Sequence, residues 1–386
     1  MKALHLIVLG NLGCEPFPGV AWQAMQYAIG LRRLGVDVYY FETSSAWPYD
    51  PVREARVNDS THALSYLNEV ASHFGFGDRW AYRRSYSDKA WFGLDRKAAE
   101  ELLAHADAVL SITGSTRLAE EGLKVGRLVD VSTDPVVHEV LYEQGDMSVR
   151  TLVDEHDDVV TFGENIGTAR CSLAPLPRLR GRTRQPILLD CWSADAPSRP
   201  EFTTVGNWKQ DGRDSQYQGE TYYWSKHYEY LKFIELPLRT DQRLELATGL
   251  VQLRAEDCAL LNRNGWLVTD SLRFTLSSYR DYIQASRGEF TVAKDANVRL
   301  GTGWFSDRSS CYLAAGRPVV TQDTGFGSVL PTGEGLFAFK TLEDILSAFE
   351  AINSDYERHR RVARAIAEEY FRAESVLARL LNDLGL

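Results

Sequence analysis

The chain has 386 residues, more than one compact core holds, which points to two domains. Hydrophobic residues make up 44% and charged residues 25%, an ordinary globular balance, so disordered and low-complexity classes are excluded. Acidic side chains outnumber basic ones 53 to 43, and the resulting charge of −10 excludes a dedicated nucleic-acid binder, whose affinity comes from neutralising phosphates. A few local basic groups for a small anion remain compatible with that charge. Five widely spaced cysteines, without a CxxC pair or Cys/His cluster, indicate neither a zinc site nor a disulfide framework. They fit a reducing, cytoplasmic compartment.

Residues 3–9 form a continuous apolar run that meets Gly10-Asn11-Leu12-Gly13. The run is too short for a secretory signal and is read as a strand buried on both faces. No stretch approaches the roughly 20 apolar residues of a membrane span. A helix is expected over 20–34, with Trp22, Met25, Ile29 and Leu34 near helical spacing and Gly35 closing it. A strand at 36–41 completes a β-α-β unit. Residues 50–100 read as irregular helix carrying the aromatics Trp80, Tyr82, Tyr86, Trp91 and Phe92. Further strands are expected at 108–112, 127–131 and 159–162. The proline- and arginine-rich stretch 171–200 reads as a linker around one strand, 187–190.

A second β/α block follows. Strands are expected at 202–205, 244–248, 266–268, 289–293 and 318–321, and helices at 255–262, 276–284 and 309–315. Residues 209–240 form a polar and aromatic excursion from the sheet. The tail carries two helices, 342–352 and 355–384. Two doubly wound domains of this kind place ligands at the carboxyl ends of their strands, in the cleft between them. The expected division is 1–170, a linker over 171–200, a second domain over 201–364, and a last helix, 365–386, crossing back to the first.

The segment 301–340 carries the clearest chemistry. Ser306, Asp307, Ser309 and Ser310 stand just before an apolar helix, whose unpaired N–H groups and dipole attract an anion. Arg308 adds a fork suited to phosphate. An ordinary capped helix has the same signature. Asp323, Thr324, Gly325 and Phe326 follow the next strand, where glycine lets backbone approach a ligand.

The run AAGRPVVTQDTGFGSVLPTGEGLF resembles the donor-binding region of GT-B glycosyltransferases of the "group 1" type. Ala315, Gly316, Pro318, Val319, Val320, Asp323, Gly325, Gly335, Leu336 and Phe337 match that pattern, and residues 346–371 continue it. The resemblance implies an α/β chain of GT-B fold, two Rossmann-like doubly wound domains facing across a cleft. It implies transfer of a sugar from a nucleotide donor such as a UDP-, GDP- or dTDP-sugar to an unidentified acceptor, without a metal or other cofactor. A sugar-nucleotide epimerase or hydrolase, or a catalytically inactive homologue that binds a partner, are the alternatives. One departure matters: the two glutamates that retaining members carry in this segment are replaced by Gly303 and Cys311. The stereochemical outcome therefore stays open, as does assembly as a homodimer.

A diphosphate donor needs cations. Lys209, at a strand end, is the best placed by sequence, with Arg213, Lys226 and Lys294 as further candidates. On the acceptor side, Gly13, Trp22, Gln23 and Glu164 are the candidates, with Trp22 also fitting plain core packing. Glu15, Asp134 and His138 are the candidate catalytic bases, since an attacking hydroxyl needs a proton acceptor within reach. No spacing argument selects among them. Arginine outnumbers lysine 34 to 9, the bias expected of a GC-rich bacterial genome.

Overall fold

A computed structural model describes residues 4–43, 45–113, 117–193, 199–249 and 253–386. Ala3 of the first expected strand and Pro197 of the expected linker lie outside the described residues. The first half runs β1 (His5–Leu9), α1 (Pro18–Arg33), β2 (Asp37–Glu42), a small hairpin of β3 (Tyr49–Asp50) and β4 (Ala55–Arg56), then α2 (Thr61–His73), β5 (Trp80–Arg83), β6 (Trp91–Gly93) and α3 (Arg96–His105). It continues with β7 (Ala108–Ile112), β8 (Leu128–Ser132), α4 (Val137–Glu143), α5 (Met147–Asp154), β9 (Asp158–Thr161) and β10 (Leu179–Arg182). These strands form one sheet in the order β10-β9-β8-β7-β1-β2-β5-β6, parallel except for β6.

The second half runs β11 (Phe202–Val205), a hairpin of β12 (Ser215–Tyr217) and β13 (Glu220–Tyr222), α6 (His227–Lys232), β14 (Leu244–Thr248), α7 (Ala255–Arg263), β15 (Leu267–Asp270) and α8 (Leu276–Ala285). Then come β16 (Gly288–Thr291), α9 (Asp295–Leu300), α10 (Asp307–Ala314), β17 (Val319–Gln322), β18 (Leu336–Phe339), α11 (Leu342–Ser354), α12 (Tyr356–Tyr370) and α13 (Ala373–Leu384). Its sheet is parallel throughout, in the order β15-β14-β11-β16-β17-β18. In both sheets the chain builds outward one way, then returns to add strands on the other side. The reversals lie beside β1 and β11, so the loops after these two strands flank the crevices where such sheets take ligands.

Helices cover both faces, which explains why β7, β8, β9, β14, β16 and β17 are buried at every position. One apolar cluster runs from Leu6 and Val8 through Trp22 and Trp192 to Tyr279, Ile283, Tyr312 and Leu377. It joins α1 of the first half to α8, α10 and α13. The last helix packs on α1 and β10.

The structure departs from the sequence reading in five places. Residues 80–83 and 91–93 are strands, because their aromatics pack on a pleated surface rather than a helix face. The strand expected at 187–190 is absent: Ile187 makes one isolated bridge to Arg372, and Leu189–Cys191 is a short 3-10 turn. The linker stretch instead holds β10, an edge strand whose Arg180 pairs with Asp158, so the first sheet extends past residue 170. The long final helix breaks at Phe371–Arg372, where the Ile187 N–H donates to the Phe371 carbonyl at 2.7 Å. The short α9 was not expected at all.

Candidate functional site

A cavity of about 420 Å³ opens between the two domains at the carboxyl ends of their strands. Phe17–Val20, Gln23 and Asp134 line it from the first domain. Val205, Gly206, Asn207, Tyr279, Asp307 and Arg308 are among the residues lining it from the second.

The loop after β1 is shaped by a residue that sequence reading missed. Glu42, at the end of β2, accepts hydrogen bonds from the Gly13 N–H at 2.8 Å and the Cys14 N–H at 2.6 Å. The Tyr40 hydroxyl donates to it at 3.2 Å. Burial pushes the Glu42 carboxyl up to about 7, against these hydrogen bonds. An acid ending an otherwise apolar strand was the available signal. Gly13 thus serves the loop through its backbone, while Glu15 turns aside and pairs with Arg56.

α1 then begins at Pro18, whose missing N–H suits a first helical position. Trp22 turns into the core, 1% exposed, and donates from Nε1 to the Leu276 carbonyl at 3.2 Å. It does not line this cavity, and its ring is spent on core packing. Gln23, one residue on, faces the cavity and reaches Asp307 Oδ2 across it at 3.5 Å.

Of the three candidate bases, Asp134 lines the cavity. It follows β8 and pairs with Lys294 Nζ, which follows β16 and lies over the Trp224 ring. His138 sits on α4 near Asp134 and Arg213, and burial holds its imidazole below the ordinary value. Neither it nor Glu15 lines the cavity. Glu164 belongs elsewhere. It is buried against Arg184 at 2.6 Å, in a separate cavity of about 370 Å³ with Arg182, Tyr370 and Arg379.

On the donor side, α10 starts beside the cavity, but its mouth is occupied. Ser306 is the N-cap and makes no side-chain capping bond, while Asp307 Oδ1 accepts from the Arg308 N–H at 2.8 Å. Arg308 turns inward: Nε donates to Glu289 at 2.6 Å, one Nη to the Val205 carbonyl at 2.6 Å and the other to Thr291 at 2.9 Å. Burial opposes its charge, and buried Glu289 outweighs that, so Arg308 stays cationic. Its fork braces β11 and β16 rather than standing free. Ser309 is fully buried with its hydroxyl unpartnered, and the Ser310 hydroxyl returns to the Ser306 carbonyl.

Asp323 accepts from the Gly325 N–H at 2.7 Å, and the Thr324 hydroxyl donates to the Trp304 carbonyl at 2.6 Å. Phe326 is buried edge-on to Phe305. These four hold the turn after β17 and do not line the cavity.

Lys209 is committed to Asp257, with both carboxylate oxygens within 2.9 Å of its ammonium. Lys226 behaves otherwise. Half-buried at the start of α6, its ammonium lies over the Trp304 ring, 5.4 Å from the centroid. It makes no ion pair among the described residues. Burial, with Arg308 and Lys294 nearby, pulls it down to about 7 against the opposing effect of Glu289 and Asp134; Lys226 does not itself line the cavity but neighbours Arg308 and Asp134, which do. Among the described residues no cluster of three or more His, Cys, Asp or Glu side chains could hold a metal ion. Nor is any helix among them long and apolar enough to cross a membrane.

No family model and no curated protein matches the chain. Solved structures match over its whole length. An alpha-glucosyltransferase in complex with UDP and a 13-mer DNA aligns with a TM-score of 0.60 at 11% identity, covering 100% of both chains. The sucrose-phosphate synthase from Thermosynechococcus elongatus aligns at 0.55 and 12% identity, covering 99% of each. Anabaena HepE in complex with UDP and glucose aligns at 0.57 and 11% identity, again over 99% of each. At such identities the likeness concerns the fold, and that fold is GT-B: two facing α/β domains with a cleft at the carboxyl ends of both sheets.

Proposed function

We propose that the chain is a glycosyltransferase that moves a sugar from a nucleotide diphosphate donor to an acceptor hydroxyl held in the interdomain cleft. Lys226 carries this reading. Its ammonium makes no ion pair of its own among the described residues and sits beside the Arg308–Glu289 and Lys294–Asp134 pairs, of which Arg308 and Asp134 line the cleft, so it is available to an anion that is not part of the protein. A departing nucleoside diphosphate is such an anion, and a preorganised cation stabilises the charge that develops on it as the glycosidic bond breaks. In this reading Lys226 meets the diphosphate without a metal ion. The switch-point loop, Gly206 and Asn207, lets the donor lie against backbone.

Asp134 is the proposed general base. The acceptor oxygen bonds to the anomeric carbon, the bond from that carbon to the phosphate oxygen breaks, and the hydroxyl proton passes to the Asp134 carboxylate. The ion pair with Lys294 orients that carboxylate toward the cleft. Two of the solved neighbours hold UDP, so UDP-sugars are the first donors to test.

The test is nucleotide release from a panel of UDP-, GDP- and dTDP-sugars, with and without mixed acceptors. Release that falls at least a hundredfold in Asp134→Asn supports the reading. No release from any donor, together with no thermal shift by any nucleotide, removes it. An interconverted sugar nucleotide without release would identify an epimerase instead.

A further inference from the structure

Asn165 belongs to the loop after β9 in the first domain, where its carbonyl accepts from Thr168, yet its backbone N–H and its whole side-chain amide are spent on the second. Its N–H donates to the Thr302 carbonyl at 2.9 Å. Its side-chain Nδ2 donates to the Gly301 carbonyl at 3.0 Å and the Gly325 carbonyl at 3.1 Å. Its Oδ1 accepts from the Ser328 hydroxyl at 2.8 Å. Two carbonyl partners require two N–H donors, so the network fixes the orientation of the amide. The residue is 2% exposed.

The receiving backbone is shaped around this amide. Gly303 has φ +75°, and a Cβ there would stand 2.8 Å from the Asn165 nitrogen and 2.9 Å from its Cγ. Gly325 has φ +87°, and a Cβ there would stand 2.7 Å from Asn165 Nδ2. Both positions lie in the left-handed region, and both lack room for a side chain because Asn165 occupies it. The next residue, Trp304, donates from its indole to the Thr133 carbonyl of the first domain at 2.9 Å and carries the ring beneath Lys226.

We propose that Asn165 is a positioning residue: from the first domain it fixes the 301–304 loop, so that Trp304 holds Lys226 where a nucleotide diphosphate binds. The identity of the ligand rests on the proposed function; the positioning of the loop does not. The bonds run from one domain to a turn of the other, so separating the domains breaks all four together. The cation site is then complete only when the cleft is closed as seen here.

Asn165→Asp tests this with little change of volume, since it sets a carboxylate oxygen against two carbonyl oxygens. Hydrogen exchange needs no ligand. Amides of 301–304 and 325–328 are expected to exchange at least tenfold faster in the variant, with β1, β7 and β11 unchanged. Calorimetry with UDP reads the second half. The variant is expected to bind UDP at least tenfold more weakly and to lose the proton taken up at pH 8, a signature of Lys226 that a merely structural role would not move. Should Asn165→Asp fail to fold, Asn165→Ser carries the same comparison. Unchanged loop exchange overturns the proposal, as does unchanged UDP affinity and proton uptake. If the unaltered protein binds no UDP, the proposed function fails, while the exchange result still decides the positioning role.

Discussion

Replacing Lys226 by Met should abolish a proton uptake that accompanies UDP binding. Burial, Arg308 and Lys294 hold the Lys226 ammonium near 7, against an ordinary lysine value of about 10.4. At pH 8 roughly one molecule in ten then carries the proton. A diphosphate in contact favours the charged form and draws the value back up. Binding at pH 8 should therefore take up about 0.9 proton, and at pH 6 about 0.1. The charge-assisted hydrogen bond lost in Lys226→Met is worth about 1.5–3 kcal/mol, roughly a 10- to 150-fold weaker Kd. Calorimetry at pH 8 in buffers of different ionisation enthalpy reads both quantities. The sign for stability is also fixed. Between about pH 7 and 10 the unfolded chain binds more protons at this site, so wild-type stability rises with pH there, and below 7 the cost of the buried charge is full. Lys226→Met should thus gain most over wild type near pH 6. Zero proton uptake by the wild type, or equal uptake by the variant, refutes the reasoning.

Three further substitutions probe the fold and the site assignments. Asp130 on β8 is 2% exposed with Oδ1 unpartnered, and burial raises its carboxyl to about 7. The folded value lies above the unfolded one, so stability falls as pH rises from about 4 to 7, by on the order of 4 kcal/mol. Asp130→Asn should raise the Tm at pH 8 and not at pH 4, and an equal change at both would contradict this. Lys209→Met loses a partly exposed ion pair with Asp257, which costs no more than about 1 kcal/mol in urea unfolding. Its UDP Kd should stay within twofold; a tenfold loss would restore Lys209 to the donor site. Trp22→Ala empties a fully packed position and should cost about 3–5 kcal/mol of unfolding free energy. A loss below 1 kcal/mol would argue that Trp22 is not the core residue described.

The parallel strands were the most legible part of the sequence. The run 108–112 is apolar at nearly every position because helices cover both faces, and 202–205, half β-branched threonine, is equally strand-like; both emerge at their expected bounds. The edge of the first sheet was not legible. β10 carries arginines whose partners, such as Asp158, lie on another strand, so nothing local marks it as a strand. The break at Phe371 was hidden for the same reason, since its cause is Ile187, far away in the chain. The site followed this rule. The start of α10 and Asp134, which line the cavity, could be singled out because strand ends and helix starts are local signals. Lys226 was only one lysine among several until the fold paired Lys209 with Asp257 and Lys294 with Asp134. Cys311 and Gly303, conspicuous in the sequence as missing glutamates, have a physical setting: Cys311 is buried in the core, and Asn165 leaves no room at 303.

The most direct test of the account is a crystal structure of the protein soaked with UDP. Diphosphate density within hydrogen-bond distance of Lys226 Nζ, in the cleft between Asn207 and Asp307, is the predicted result. UDP seated elsewhere, for instance beside Arg184 and Arg379, or an empty cleft at millimolar UDP, would contradict it.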